Sequence, residues 1–472
     1  MRFPTQRFPL RIEELFRNVL VLAGVGSILS GCVTGPKYEK PPTDEPLRFL
    51  NETETAGPMP MKGWRELFQA PGLNALLDRA AGNNLSLQAA WQSVVASRSA
   101  IGRFRSEGFP QIDAGGSADF FENSDALASS GRGDSGERYD VDASVSWELD
   151  LFGRVRRSVE AAKASYEAEE ALYHDLMFIL QADVALHYFQ INSLQAEIEL
   201  LERSRETRAE SLDLIKQRFD NGMVSELAVA QTESLLATAE SRLYAAMRVQ
   251  NSLLYSLAAL IGETPATFSY EPEALAIEPP NVPTGLAGEL LERRPDIRIA
   301  ERLLAEANAL VGVAQADFFP RITLSGDLGF AAREWDDLFK NVSEFSRGGG
   351  GVSIPVFQGG RLRANKAQAR AIYEQRALLY RQAVISAVTE VEDLLQSVRL
   401  LEAQSEAIAR SVEASNQARR ISTLQYEQGI LDFISALDAE RSALDAEQQF
   451  EQVKRDRFID TINLIRALGG AW

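Results

Sequence analysis

The chain has 472 residues and a formal net charge of −18, a length that allows two or three domains. Its acidity argues against nucleic acid as the main partner. Only two His and one Cys are present, which gives poor support to zinc sites, iron–sulfur clusters or disulfide scaffolds, and we predict neither a metal nor a cofactor.

The first segment has the features of a cleaved export signal. Four arginines precede a short apolar run, residues 19–29, which is too short to span a bilayer as a stable helix. The sequence Leu29-Ser30-Gly31-Cys32 follows and resembles the bacterial lipobox, in which the cysteine is acylated after cleavage. The alternative is a free cysteine beside a short membrane anchor. We predict a signal peptide over 1–31 and a lipidated tether over 32–62, attached through Cys32.

The remainder of the chain contains a two-fold repeat. Residues 83–116 align without a gap on 293–326, at an offset of 210, and residues 153–262 align on 360–469, at an offset of 207. Such a unit is too long for a solenoid repeat and predicts a duplicated half-structure. The predicted organisation is a first repeat over 63–262, a Pro-rich linker over 263–285, a second repeat over 286–469 and a tail over 470–472.

Each copy is predicted to hold a short helix, two strands and a long helix hairpin. The short helices cover about 84–108 and 295–317. The outgoing arms of the hairpins cover 154–218 and 361–428, and neither arm contains proline or glycine. At about 1.5 Å per residue each arm is a rod of about 100 Å, which a compact globule does not need. The return arms are predicted over about 226–261 and 433–468.

The strand-like runs are the second informative signal. They cover residues 112–120, 139–150, 322–330 and 352–357. Polar and apolar residues alternate along them at a length that suits tilted membrane strands, although a half-buried soluble sheet shows the same alternation. Three features favour the membrane: the runs form two separate hairpins, their outer ends are aromatic, and the connections over 121–138 and 331–347 are long and polar.

Four strands are too few to close a barrel. In lipid every backbone N–H and C=O group must be paired, so an open four-stranded sheet is excluded there. If the strands span a membrane, the chain must therefore assemble with copies of itself, in a number that this argument leaves open.

Short motifs spread over most of the chain resemble one family. They are residues 35–41 (GPKYEKP), 64–68 (WRELF) with 71–73 (PGL), 149–154 (LDLFGR), 293–297 (RRPDI), 318–322 (FFPRI) and 354–361 (IPVFQGGR). In this order and duplication, the chain resembles an outer-membrane efflux protein of the TolC and OprM type, in the lipoprotein branch that includes NodT.

The resemblance implies an α+β membrane protein that forms a homotrimer. Four strands from each protomer would build a twelve-stranded β-barrel in the outer membrane, continued by a long α-helical barrel in the periplasm. It also implies a passive exit duct for drugs or other small molecules in a tripartite efflux system of the resistance-nodulation-division type. The partners would then be a periplasmic adaptor, an inner-membrane transporter and outer-membrane lipid.

Other functions are weighed against this one. A duct for type I protein secretion is the alternative within the same fold. A periplasmic adaptor or a structural coiled coil is the alternative from another class. An adaptor would show one hairpin interrupting a lipoyl-like half-motif, whereas this chain shows two hairpins and two strand pairs. An enzyme is disfavoured because no catalytic constellation is present.

The polar positions of the strands are predicted to face the channel lumen. They carry seven carboxylates: Asp113, Asp119, Asp140, Asp142, Glu148, Asp150 and Asp327. Rings of like charge set the potential inside a pore, so we predict an acidic lumen that prefers cations. The alternative is that these carboxylates only keep the wall wet.

The resemblance also assigns a periplasmic gate. Asp438 matches an aspartate of the family's constriction and Ile434 matches an apolar gate position, while Ser435 stands where TolC carries a second aspartate. In the first repeat, Gln231 takes the place of Asp438. The alternative is that Asp438 only pairs with Arg441 on the helix surface.

The two hairpin turns match the family's adaptor-docking tips. Their predicted contact residues are Gly222, Val224, Ser225, Leu227, Gly429 and Leu431. Glycine lets the chain reverse, and apolar residues that we expect to be exposed offer contact area. Ordinary packing within a helix hairpin is the alternative.

Overall fold

The structure is a computed structural model that describes residues 33–41, 64–122, 124, 135–275, 277–280, 282 and 293–469. The predicted signal peptide, Cys32 and most of the tether lie outside the described residues, as does the predicted tail. In the described part of the chain, no helix is both long enough and apolar enough to cross a membrane.

The order of elements repeats the same pattern twice. The helices are α1 (Pro71–Asn83), α2 (Leu85–Ser106), α3 (Arg154–Asp220), α4 (Glu226–Ile261), α5 (Pro295–Ala316), α6 (Arg361–Glu427) and α7 (Phe433–Ala467). The strands are β1 (Gln111–Glu122), β2 (Ser135–Leu149), β3 (Arg321–Ala332) and β4 (Glu344–Ser353). The predicted helix hairpins are confirmed within two residues at each end, whereas helix α1 was not predicted.

The chain divides into two compact units. Among the described residues, the strand unit draws on 33–41, 95–168 and 301–379, and the helical unit draws on 64–94, 169–300 and 380–469. Each unit draws on both repeats, so the duplication is built into each of them.

The helical unit has an apolar core shared by both repeats. Phe189 of α3 stacks on Phe458 of α7, with ring centroids 4.5 Å apart and planes 9° apart. Leu73 and Leu77 of α1 are fully buried in the same cluster, together with Ile261 at the end of α4. A buried side chain of this size stabilises a fold by about 1.5–3 kcal/mol. Trp64 and Phe68 of the WRELF motif and Leu73 of the PGL motif are buried in this core, so both motifs contribute to its packing.

The two hairpin turns have the same backbone geometry. Gly222 and Gly429 have φ angles of 71° and 72°. The N–H of Met223 donates to the carbonyl of Arg218 at 2.8 Å, and the N–H of Ile430 donates to that of Gln425 at 2.9 Å. This pattern satisfies the last carbonyls of each long helix, and it needs a left-handed residue that glycine adopts at low cost.

The four strands form one antiparallel sheet in the order β1-β2-β3-β4. Strand β2 of the first repeat pairs with β3 of the second, with Ser144 opposite Asp327, so the two hairpins share one sheet. Directly opposite residues lie on the same face, which gives the sheet one polar and one apolar face. The apolar face carries Ile112, Phe120, Val141, Val145, Trp147, Leu324, Leu328, Phe330 and Val352.

The fourth strand was predicted over 352–357 and is found at Glu344–Ser353. Glycines 348–351 have low intrinsic strand propensity, so alternation alone does not detect them. Hydrogen bonding to β3 recruits them, with Gly349 opposite Ser325. The predicted 331–347 connection is correspondingly shorter, and β2 likewise begins at Ser135 within the predicted 121–138 connection.

Candidate pore and docking site

Six of the seven predicted lumen carboxylates lie on the polar face of the sheet. Asp113 and Asp119 are on β1, Asp327 is on β3, and β2 contributes Asp140, Asp142 and Glu148. Serines 117, 144, 146 and 325 share the face with them. The alternation of each strand and the register between strands agree, so these side chains form one continuous polar surface.

Some of these carboxylates are paired with arginine. Arg138 donates two hydrogen bonds to Asp140, at 2.7 and 2.9 Å. Arg154 at the start of α3 lies 2.9 Å from Glu148, and Arg347 is directly opposite Asp327 in the register. Among the described residues, no ion pair is formed by Asp113 or Asp142. Asp119 and Asp327 also form no ion pair among those residues, but an arginine lies directly opposite each of them, Arg138 and Arg347. Asp113 and Asp142 are therefore the two aspartates of this face with neither an ion pair nor an arginine directly opposite.

Asp150 departs from the predicted set because it lies after the end of β2. Its carboxylate accepts hydrogen bonds from the N–H groups of Val155 and Arg156, at 3.1 and 2.9 Å, and it pairs with the Arg156 side chain at 3.2 Å. These contacts satisfy free N–H groups in the first turn of α3 and suit its positive end. Asp150 is a helix-capping residue, and the strand pattern alone gave no sign of this.

The predicted gate residues are both exposed on the first turns of α7. Ile434 and Asp438 lie four residues apart, hence on the same side of the helix. Arg441 lies 3.8 Å from Asp445, and among the described residues Asp438 forms no ion pair, so the alternative pairing with Arg441 is absent. The Asp438 carboxylate is therefore available to a channel entrance.

Ser435 has a role of its own at the start of α7. Its N–H and hydroxyl donate to the Asp432 carboxylate at 3.0 and 2.7 Å, which caps the helix. These hydrogen bonds lower the pKa of Asp432. A negative charge is thus present on the capping residue, six residues before Asp438.

The tips expose a different set of apolar side chains from the predicted one. Leu227 is 61% exposed, whereas Val224 and Leu431, which we expected to be exposed, are half-buried. Their neighbours Met223 and Ile430 are 71% and 70% exposed. Met223 and Ile430 are repeat equivalents, at the offset of 207, so both tips present the same kind of side chain. Gly222, Ser225 and Gly429 are exposed as expected.

A contact between the two tips was not predicted. Arg218, near the end of α3, donates a hydrogen bond of 2.6 Å to the hydroxyl of Tyr426, near the end of α6. The Arg218 guanidinium also lies 5.5 Å from the centre of the Tyr426 ring. Comparing the two repeats does not reveal this pair, because neither residue is repeated: Gln425 is equivalent to Arg218, and Phe219 is equivalent to Tyr426. The two turns are thereby joined within one protomer.

The comparisons with known proteins agree with this geometry. The family model described as outer membrane efflux protein matches residues 76–263 and 286–470. The toluene efflux pump outer membrane protein TtgI of Pseudomonas putida is 32% identical over 456 residues, covering 94% of this chain and 96% of the relative. The chain belongs to the outer membrane efflux protein family.

Solved structures support the same assignment. The outer-membrane channel OprN is 30% identical and superposes with a TM-score of 0.86, over 93% of this chain and 100% of that one. The open-state outer membrane channel MtrE of Neisseria gonorrhoeae is 29% identical, with a TM-score of 0.82, over 93% of this chain and 98% of that one. The predicted fold class is confirmed, and so is the prediction of an outer-membrane efflux channel that is not an enzyme.

The long helix α3 of this outer membrane efflux protein carries a half-buried carboxylate. Burial raises the pKa of Asp183 on α3, partly offset by the nearby Arg466 and His187. Because the folded-state pKa exceeds the unfolded one, this group's contribution to stability is fully present below the unfolded pKa. It is lost as the pH rises through the folded pKa.

We therefore expect Asp183→Asn to raise the Tm of the detergent-solubilised protein by a few degrees at pH 7.5. The difference from wild type should shrink as the pH is lowered towards the ordinary carboxyl range. Thermal unfolding followed by circular dichroism measures this. Glu206→Gln, an exposed position on the same helix, is the control and should leave the Tm unchanged. A lower Tm for Asp183→Asn at pH 7.5 would contradict the assignment.

Proposed function

We propose that three copies of this chain close a twelve-stranded barrel in the outer membrane and conduct small organic molecules outward. The observation that carries the proposal is the sheet, which has one polar face, one apolar face and two unpaired edges within a single copy. A sheet with unpaired edges is excluded in lipid, and closure with further copies removes the edges. The polar face then lines the lumen, as in other water-filled barrels.

The lipid anchor is part of the proposal. Val33, the residue after Cys32, packs against Gly153, where an added Cβ would lie 3.0 Å from the Val33 side chain. The N–H and hydroxyl of Thr34 donate to the carbonyl of Phe152 at 3.2 and 3.0 Å. The residues that follow Cys32 are thus held beside the connection between β2 and α3, which supports a lipid anchor at this end of the strand.

The pore should prefer cations, because the carboxylates of the polar face outnumber its arginines. In planar bilayers under a KCl gradient, we expect a cation-selective reversal potential. The double variant Asp113→Asn with Asp142→Asn should reduce it clearly, since neither residue forms an ion pair among the described residues. Glu122→Gln on the apolar face of β1 is the control. Anion selectivity of the wild type would contradict an acidic lumen.

The helical tips are proposed to dock a periplasmic adaptor that connects the duct to an inner-membrane transporter. Ser225→Cys, treated in cells with a short thiol crosslinker, is expected to yield a product with the adaptor. Ser256→Cys is the control, because it is exposed on α4 about 45 Å further along the helix. Equal crosslinking at both positions would argue against a docking site at the tips.

The class of cargo is tested by a deletion strain. TtgI is named as part of a toluene efflux pump, and we propose apolar small molecules as cargo of this chain as well. The deletion should increase susceptibility to solvents and amphiphilic drugs, and the wild-type gene should restore tolerance. Unchanged susceptibility together with loss of a secreted protein would instead indicate type I secretion.

A further inference from the structure

The edge strands of the sheet leave apolar side chains uncovered in a single copy. Ile112 on β1 is 75% exposed, and Val356, just after β4, is 93% exposed. Phe120, Val352 and Ile354 are also exposed at these edges. This inference rests on the proposed assembly, because it concerns how one copy meets the next.

The repeat extends through the strands and fixes their correspondence. Strand β1 begins and ends 210 residues before β3. Gln111 pairs with Ser146 in the first hairpin and Arg321 pairs with Ser353 in the second, so β4 follows β2 at 207 residues, the offset of the long helices. The pairing of β2 with β3 therefore has a counterpart, which is β4 with β1 of a second copy.

Transferring the observed β2–β3 register gives the register of that seam. Leu149 lies opposite Ile322, Trp147 opposite Leu324, and Val145 opposite Gly326. We infer that β4 and the residues after it pair antiparallel with β1 of a second copy, with Val356 opposite Ile112 of that copy. In the same register, Ile354 lies opposite Ala114 and Val352 opposite Gly116 of the second copy.

Two features of the strands that were not used to derive this register agree with it. It sets the polar face of β4 beside the polar face of β1, whereas a slip by one residue would place Asp113 and Asp119 on the apolar face. It also places Gly348 opposite the exposed ring of Phe120, an arrangement in which an aromatic side chain covers a strand glycine.

The register also explains why residues 354–356 lie beyond the paired part of β4. Their counterparts, Trp147, Glu148 and Leu149, pair only with β3 and have no partner on β1. Residues 354–356 therefore have their partner only in the second copy. Pro355 lacks an N–H group, and its position at the end of the pairing is one that a sheet tolerates.

Cysteine pairs test the register directly, because the only native cysteine is Cys32. Disulfides need Cα atoms within about 7 Å, and opposite residues in a sheet lie about 4.5–5.5 Å apart. Within one copy, β1 and β4 are three strand spacings apart, about 14 Å, which excludes a bond inside the chain. The full-length protein carrying Val356→Cys and Ile112→Cys is oxidised in membranes and run on denaturing gels without reductant.

We expect reducible dimers and trimers from this variant, at a yield similar to the intrachain bond of the matched pair Leu149→Cys with Ile322→Cys. Val356→Cys with Gly116→Cys, displaced by four residues and about 13 Å, should give no product, and neither should the single variants. Absence of intermolecular products, while the Leu149 and Ile322 pair oxidises, overturns the register, as does a higher yield from the displaced pair.

The same samples separate this inference from the proposed function. Amine crosslinking and bilayer conductance report whether a trimeric channel is present. If the channel is present but Val356→Cys with Ile112→Cys forms no intermolecular disulfide, the register is wrong and the proposed function is retained. If wild type gives neither oligomer nor conductance, both the proposed assembly and the register are wrong.

Discussion

Replacement of Gly329 by alanine is expected to abolish most of the assembled channel. Gly329 lies opposite Asp142 in the pairing of β2 with β3. A Cβ there would lie 2.3 Å from the carbonyl oxygen of Val141 and 2.7 Å from the Cα of Asp142. Both are backbone atoms, so the two strands must separate. Overpacking of this kind costs about 1–3 kcal/mol, and more where the backbone cannot shift.

The measurement is the amount of trimer in outer-membrane fractions, together with solvent tolerance of cells that carry only the variant. Gly115→Ala is a matched control, because Gly115 lies opposite the same Asp142 from the β1 side. An added Cβ there meets only a carboxylate oxygen at 3.8 Å. The control should assemble as wild type does. Equal trimer levels for both variants would show that the sheet adapts at Gly329.

The second large effect is expected at the periplasmic entrance. Ile434→Ala combined with Asp438→Ala should raise single-channel conductance several-fold and allow vancomycin to enter cells. The reason is that both side chains are exposed on one side of α7 and, in the proposed trimer, would narrow the entrance with an apolar and an acidic ring. Truncation to alanine removes both rings while keeping helix propensity high.

The repeat supplies the control for the gate. Leu227 and Gln231 take the places of Ile434 and Asp438 in the first copy, at the offset of 207. Leu227→Ala with Gln231→Ala removes similar volume from the equivalent turns of α4. Conductance of that variant should stay near the wild-type value. If both double variants leak equally, the constriction is not specific to the second repeat.

Much of the fold could be predicted from the sequence because its signals are long. Sixty-seven residues without an internal proline or glycine leave few alternatives to a helix, and glycine at 222 and 429 marks where each helix reverses. β4 could not be placed, because its glycines take their conformation from hydrogen bonds to β3 and carry no alternation of their own. Helix α1 was missed for a related reason: burial of Leu73 and Leu77 stabilises it more than its propensity does.

The site was predicted less completely than the fold. Strand parity placed six carboxylates on one face, which the register of the sheet supports. The alternation of polar and apolar residues could not separate Asp150 from these six carboxylates. A residue one position past the end of a strand continues the same alternation, although its side chain here caps the next helix. Exposure at the tips depends on how each turn folds back, so Val224 and Leu431 were chosen where Met223 and Ile430 project. The contact of Arg218 with Tyr426 joins residues far apart in sequence and leaves no local pattern.

The segment that begins at Val33 has a consequence for the order of folding. Arg157 donates to the carbonyls of Thr34 and Gly35, and Asn308 donates to that of Pro36, across 272 residues of sequence. Gly35 also approaches Gly312 so closely that an added Cβ would lie 2.6 Å from its Cα. These residues leave the ribosome before either repeat, yet their last contacts exist only after α5 has been made. A chain interrupted after its first repeat can form the contacts of Thr34 and Gly35 with Arg157, but it lacks α5 and therefore the contacts with Asn308 and Gly312. Because those contacts close a long loop, they form late in folding.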